Sequence, residues 1–426
     1  MPGPLHGVKV LELTQIVAGP FCGQNLADLG ADVVKIEPPG GEGMRVLGQF
    51  VPGESKGFHS LNRGKRSIVL DVQKPEAKAA IHRMIRDFDV FHINSRAGVA
   101  ERLGLDYETL RRHRPDLIYF ENTGYGNRGP SALRSGSDIV SQAYSGLMVG
   151  DMKVDEFGAP QLITATAPGD YTAGLAGAMG ICAALFYRSQ TGQGQYITGS
   201  LLQAGLALQG SIVSKLPAFD AIATDAMMER VRAVRARGGS YKEQLEAKGD
   251  IFKLMGQAFR LYYGGYPVKD GAIILGALTP ANREQMRRAM GIADDPTASP
   301  DFNALDPASD AAVEAMFERI RAVMLTRTMD EWIEAFDREG APVSKVNFPE
   351  EMADDPQVQA MGYFAEYDHE MTGPERMPGP VVHMSLTPTG TATPSPTLGK
   401  HTDEVLREHG FTDEEIGALR ASGAVA

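Results

Sequence analysis

Cysteine is nearly absent: two in 426 residues. Cys22 and Cys182 stand alone in apolar, helix-like surroundings, without ligand spacing. That excludes a disulfide framework or a thiolate metal centre and leaves two inert, buried thiols. Long hydrophobic runs are missing too; the nearest, residues 171–187, is too rich in glycine and alanine to read as a membrane span. Positive charge is in deficit, with 42 Lys and Arg against 54 Asp and Glu and a net charge of −12. Such a chain lacks the basic face that a nucleic-acid partner needs, and any polyanionic ligand must be met by local donors. The first β-to-α turn, Ala18-Gly19-Pro20-Phe21-Cys22-Gly23, is not G-x-G-x-x-G. Pro20 removes an amide where a dinucleotide pyrophosphate would want one, which argues against NAD(P). No basic, apolar leader precedes the first strand pattern, so the reading expects a reducing cytoplasm and no membrane.

What is present alternates. Strands are predicted at Val8–Thr14, Asp32–Glu37, Ser67–Val72, Val90–Asn94 and Leu117–Asn122, with helices between them at Gly19–Leu29 and Pro75–Phe88. Repeated β-α-β units imply an α/β domain: an open, mostly parallel, Rossmann-like sheet with helices on both faces and its ligand beyond the carboxyl ends of the strands. At this length a second domain is expected. The reading divides the chain into a large domain at 1–225, a charged helical linker at 226–257, a smaller α+β domain at 258–335 and a return segment at 336–426 packing on the large domain. The small domain opens on strands Tyr262–Val268 and Ala272–Leu278 flanking a turn, followed by helices Asn282–Met290 and Asp310–Leu325. Residues 367–400 carry little regular pattern, and Thr402–Ser422 reads as one helix.

The most informative stretch begins at Pro168-Gly169-Asp170 and runs through a helix of small and apolar residues to Arg188 and Thr191-Gly192-Gln193-Gly194-Gln195. Ala173, Gly174, Gly177, Ala178 and Gly180 lie at three- and four-residue spacings, which lets another backbone approach closely. Asp170 at the head of that helix has two readings. It is a cap, accepting the free amides of the first turn. Or it is a nucleophile held ionised by the helix dipole and by an ordinary carboxylate pKa of about 3.9.

This segment resembles the signature of the class III CoA-transferases, the family of formyl-CoA transferase and the carnitine and bile-acid CoA-transferases. So do Val10-Leu11-Glu12-Leu13-Thr14 through Pro20, Leu29 through Glu37, Asn62 through Asp71 and Leu398 through Leu406. The resemblance implies that Asp170 is the catalytic nucleophile, a role compatible with capping. It implies that the backbone of Val17 lies beside the CoA sulfur and that Asn94 and Arg102 contact CoA. The family carries a basic residue after Ile-Glu where this chain has Pro38-Pro39; Arg45 and Lys65 are the candidate replacements. Asp138 matches an acidic residue near the nucleophile, there to tune or orient it, or else to cap a helix. A glycine loop over the intermediates is expected at Gly238-Gly239 or at Tyr263-Gly264-Gly265-Tyr266. The resemblance also implies an interlocked homodimer.

The expected chemistry moves CoA from an acyl-CoA to a carboxylic acid through aspartyl anhydride and aspartyl-CoA thioester intermediates. The CoA thioester is substrate; no tightly bound cofactor and no metal are expected. The same fold hosts α-methylacyl-CoA racemases, whose second base is a histidine in a Gly-His-Asp triplet. Here the triplet is Gly136-Ser137-Asp138, and serine is no general base near neutral pH. Racemase or epimerase is therefore the alternative reading. A CoA-ester-binding protein without catalysis is a third, weakened because mere binding has no use for Asp170.

Overall fold

The computed structural model describes residues 2–162, 166–249, 257–303, 306 and 309–425. It divides into two units: residues 1–153, 160–214 and 356–426 form the first, and 154–159 with 215–355 the second.

The first unit holds the six strands β1 Lys9–Leu13, β2 Asp32–Glu37, β3 Arg66–Val69, β4 Val90–Ile93, β5 Ile118–Thr123 and β6 Tyr196–Ser200. Their order is β3-β2-β1-β4-β5-β6, and every pairing is parallel. This order reverses at β1 and β4, where both connections leave the sheet and a crevice opens at the carboxyl ends. Successive residues of a strand face opposite sides. Leu11, Val34 and Phe91 enter one core, with Ile81 and Met84 of α2 Pro75–Met84. Their neighbours Val10, Val33 and Val90 enter the other, with Leu26 of α1 Ala18–Asp28 and Ile181 of α5 Pro168–Thr191. Between these helices in sequence lie α3 Val99–Leu103 and α4 Asp138–Ser145, and α6 Leu201–Ala207 follows β6.

Helix α5 is the predicted small-residue helix, about a turn longer at each end, and the reason for its composition is steric. A Cβ on Gly174 would stand 2.9 Å from the carbonyl oxygen of Ala18 and 3.0 Å from the Phe21 ring. One on Gly177 would stand 2.3 Å from Phe120 and 3.1 Å from the Cys22 sulfur. α1 and α5 thus meet backbone to backbone, which fixes where both helices begin.

Beneath α1 the first unit buries charge. Lys65 Nζ lies 2.8 Å from Glu12, 2.7 Å from the Pro20 carbonyl and 3.0 Å from Asn62 Oδ1. Lys35 donates to the Thr14 carbonyl at 2.8 Å and stands between Glu12 and Glu42. Burial alone would raise the Glu12 carboxyl, but the two lysines hold it low. His92 beside them is pushed down to about 4 by burial and stays neutral, its ring tilted 4.8 Å from Phe120.

The second unit contains α7 Asp225–Ala236 and α8 Tyr241–Lys248, then hairpin strands β7 Tyr263–Val268 and β8 Gly271–Gly276, helices α9 Pro280–Met290, α10 Asp310–Met324 and α11 Met329–Glu339, and β9 Val343–Lys345. β9 pairs antiparallel with β8. That pairing holds the chain in this unit up to residue 355, so the return segment starts at Pro356 rather than at 336. The unit also takes up residues 215–225, assigned to the large domain from the sequence, and the linker expected at 226–257 forms α7 and α8, its end at 250–256 lying outside the described residues.

The return segment carries the hairpin β10 Phe364–His369 and β11 Gly373–Pro378, where the sequence suggested no pattern. Then come α12 Thr402–Glu408 and α13 Asp413–Ala421, two helices rather than one. The break is Gly410, at φ +81°, followed by Thr412, whose hydroxyl accepts the Glu415 amide in a capping box. Leu406 and Ile416 join the core on the α2 side of the sheet.

Two substitutions separate steric need from mere helix preference. Gly177→Ala should lower the melting temperature by several degrees, because overpacking of about 1–3 kcal/mol outweighs the helix-propensity gain of at most ~1. Gly180→Ala, whose Cβ would meet Ile197 at 3.5 Å, should leave it unchanged or raise it. Equal melting temperatures for the two would contradict the packing.

Candidate active site

The cleft at the sheet's reversal is lined by Gln15 and Ile16 after β1, Asn94 to Arg96 after β4, Asn122 and Thr123 of β5, Gly136 to Asp138, Asp170 and Leu201. Each comes from the carboxyl end of a strand or the amino end of a helix.

Asp170 is not the cap of α5. The cap position is Ala167, with no side-chain hydrogen bond, and Asp170 is the third helical residue. The amides it could have accepted are taken by another residue: Asp138 Oδ1 accepts from the Gly169 amide at 2.8 Å and the Asp170 amide at 3.1 Å. Its Oδ2 accepts from Gln142 Nε2 at 2.5 Å. Asp138 is thus the first residue of its own helix α4 and the cap of α5 together. The fit requires glycine at 169, where a Cβ would stand 2.8 Å from Asp138 Oδ1.

The consequence is electrostatic. Asp170 is 9 % exposed, and among the described residues its carboxylate accepts no hydrogen bond. Burial, then the neighbouring Asp138, push its pKa up to about 7. This corrects the expectation of an ordinary, dipole-stabilised carboxylate. The helix amides that would have lowered the pKa serve Asp138 instead.

Facing Asp170 is the β1–α1 loop. Asn94 closes on Gln15, accepting its amide at 2.9 Å and donating to its carbonyl at 2.8 Å. Glu42 Oε2 accepts the Ile16 amide at 3.1 Å and the Met44 amide at 2.8 Å. Between these clamps Ile16 adopts φ +68°, a left-handed conformation that costs a β-branched residue roughly 1–3 kcal/mol. The strain aims the start of α1 at the cleft. α1 begins at Ala18 after Val17 in the cap position, and among the described residues no side chain caps its first amides. Glu42 and Ile16 were not singled out from the sequence; an acidic residue after a Pro-Pro-Gly-Gly turn is a weak signal, and a strained isoleucine leaves none.

The other predicted residues fare differently. Val17 is buried at the head of α1, and Asn94 lines the cleft, but Asn94 spends both ends of its amide on Gln15. Arg102 is exposed in the last turn of α3 and lines neither this cleft nor the next. Arg45 and Lys65 are corrected. Arg45 is fully buried, forked onto Glu37 at 2.6 and 2.8 Å, bonded to the Pro396 carbonyl and laid over Phe58. Lys65 is buried against Glu12. Neither has a face left for a phosphate. Of the two glycine candidates, Gly264 and Gly265 are strand residues paired with Leu275 and Ile274, whereas Gly238-Gly239 joins α7 to α8. Ser137, in the place of the racemase histidine, lines the cleft, and among its described residues there is no histidine.

A second cleft adjoins the first, sharing Gln15, Asn94 and Ser95 and continuing past Pro38, Leu70, Asp71 and Val72. The two together form a groove along the carboxyl ends of β1 to β4. Among the described residues no helix is long and apolar enough to cross a membrane.

Comparison with known proteins bears on what this geometry serves. The family model described as CoA-transferase family III matches residues 5–402. Succinyl-CoA:glutarate CoA-transferase of Homo sapiens is 33% identical over 431 residues, spanning 99% of this chain and 90% of that protein. Succinate–glutarate CoA-transferase of Agrobacterium fabrum is 33% identical over 426 residues, 95% of each. Among solved structures, a CAIB/BAIF family protein from Brucella suis matches with a TM-score of 0.73 at 29% identity, covering 96% of this chain and 100% of that one.

The environment of Asp170 makes a stability prediction. Its folded pKa lies above the unfolded value of about 3.9, so the stabilisation of the protonated form is present below that value and lost as pH rises to about 7. Asp170→Asn removes the ionisation. Its melting temperature should match the parent's near pH 4, exceed it increasingly through pH 7, and stay above it beyond, by an equivalent of roughly 1–4 kcal/mol. A pH-independent difference would show that the carboxylate is not buried as described.

Proposed function

The chain belongs to CoA-transferase family III and is an enzyme of that class, and from that premise we propose that Asp170 carries the CoA between donor and acceptor acids. The observation that carries the reading is the isolation of the Asp170 carboxylate. It is buried in the cleft, without a hydrogen-bond partner among the described residues, while Asp138 occupies the helix amides. A carboxylate so placed is poorly solvated and therefore a stronger nucleophile than one in water.

In the proposed sequence an Asp170 oxygen attacks the thioester carbonyl, the carbon–sulfur bond breaks, and CoA leaves as thiolate. The product is a mixed anhydride. The thiolate then attacks the aspartyl carbonyl, expelling the first acid as its carboxylate and leaving aspartyl-CoA. The acceptor carboxylate enters by the same steps in reverse, regenerating Asp170. No proton is gained or lost overall. The uncapped amides at the start of α1 are suited to the oxyanions of each addition, because they are fixed before charge develops. Asp138 is a positioning residue: it holds the head of α5 and keeps the Asp170 pKa high.

CoA itself is proposed to lie along the two joined clefts, its thiol end beside Val17 and Asp170, with Arg102 as a phosphate contact outside them. The relatives' names make succinyl-CoA the first donor to try and a short dicarboxylate the first acceptor. A homodimer fits the exposed apolar side chains Met179 and Phe186 of α5 and Leu208 and Ile212 after α6. The racemase alternative would use a histidine where Ser137 stands, and among the described residues lining the cleft there is none.

Asp170→Ala should reduce transfer by at least ~10³-fold while changing CoA affinity by less than about threefold. In the parent, kcat/KM should rise with pH through an apparent pKa near 7, the value of free-enzyme Asp170. Transfer that survives Asp170→Ala, or a rate that is flat from pH 5 to 9, would remove Asp170 from the chemistry.

A further inference from the structure

β2 runs between β3 and β1 and carries a lysine among Val33, Val34 and Ile36. Lys35 is fully buried and lines neither cleft. An ammonium in the interior has to be paired and hydrogen-bonded to stay charged. Its Nζ donates to the Thr14 carbonyl at 2.8 Å and lies 3.4 Å from the Thr14 hydroxyl, 3.7 Å from Glu12 and 3.6 Å from Glu42.

The two glutamates depend on it unequally. Glu12 has a closer cation in Lys65, at 2.8 Å. For Glu42, among the described residues, Lys35 is the one cation within 4 Å, and Glu42 Oε1 accepts no hydrogen bond. Glu42 Oε2 meanwhile takes the amides of Ile16 and Met44. The Ile16 side chain rests on Gly43, where a Cβ would stand 3.1 Å from Ile16 Cδ1. Lys35 therefore reaches the β1–α1 loop twice, directly at Thr14 and through Glu42 at Ile16. Between those two points lies Gln15, held by Asn94.

Stability alone gives this arrangement little purpose, since apolar residues of the same volume often match or better a buried ion pair. What the pair supplies is direction. A left-handed isoleucine keeps its conformation only while its surroundings over-determine it. Without Lys35, Glu42 would be a lone buried carboxylate, driven to take up a proton or to turn toward water, and its hold on Ile16 would weaken.

We propose that Lys35 is a positioning residue for the transfer reaction: it neutralises Glu42 and holds the Thr14 carbonyl, and thereby fixes Ile16 and the start of α1 opposite Asp170. The proposal rests on the reading of that helix start as the partner of the reacting carbonyl.

The test follows steady-state transfer from succinyl-CoA to glutarate. Lys35→Met, which nearly keeps the side chain's length and removes its charge, should lower kcat by ~10²-fold, as a misplacement of about 1 Å does. The KM for succinyl-CoA should change by less than about threefold, since the loss falls on the transition state. In the same background Glu42→Gln, whose side-chain oxygen still accepts both amides, should recover at least about tenfold, and Glu42→Leu should recover nothing. Neither pair leaves a lone charge at 35 or 42, so the two carry the comparison if Lys35→Met alone does not fold by circular dichroism. A parental kcat in Lys35→Met, or equal rates for the Gln and Leu pairs, would overturn the assignment. Failure of the Asp170 reading is distinct from both, because it shows as transfer that survives Asp170→Ala.

Discussion

One carboxylate organises the active site. By accepting the Gly169 and Asp170 amides, Asp138 takes the stabilisation that the start of α5 would otherwise give to Asp170. The helix keeps its cap, and the residue at its third position keeps none. Desolvation then dominates, and Asp138's own charge adds to it, so the Asp170 pKa is pushed up to about 7. The same residue that anchors the helix mechanically thus sets the chemistry of its neighbour. That dual use explains why glycine is needed at 169 and why the 136–138 loop must come so close.

The opposite wall of the cleft is organised by the same economy of polar groups. Asn94 and Glu42 hold Gln15 and Ile16 from two sides, and the strained Ile16 turns the chain directly into an uncapped helix. Helix α1 cannot move to relieve that strain. Its own backbone lies against Gly174 of α5, and its underside covers the Glu12–Lys65 pair. Sheet order, buried charge and glycine packing therefore converge on one result: two helix starts facing each other across a cleft at the reversal of the strand order. One start has no side-chain cap, and the other is closed by the Asp138 carboxylate.

Much of this was legible in the sequence. Alternating apolar strands gave the parallel sheet to within a residue or two at β2 and β4, and the small-residue spacing of α5 foretold the close backbone approach. Asp170 stood out because a lone charge heads an otherwise apolar helix. Tertiary relations were less visible. Arg45 and Lys65 looked like phosphate ligands because nothing local shows that Glu37 and Glu12 wait to bury them. Asp170 looked ordinary because its competitor for amides is 32 residues away. The β10–β11 hairpin escaped notice because proline and glycine dominate its neighbourhood; α11 and the break before α13 were also missed, although the capping pairs Thr328 with Glu331 and Thr412 with Glu415 mark both.

The central claim is that Asp170 becomes covalently attached to CoA. Mass spectrometry of the protein incubated with succinyl-CoA in the absence of an acceptor, and after peptide mapping, tests it directly. The account predicts a CoA adduct, labile to hydroxylamine, on the peptide that contains Asp170. An unmodified protein that still transfers CoA, or an adduct on any other peptide, would contradict it.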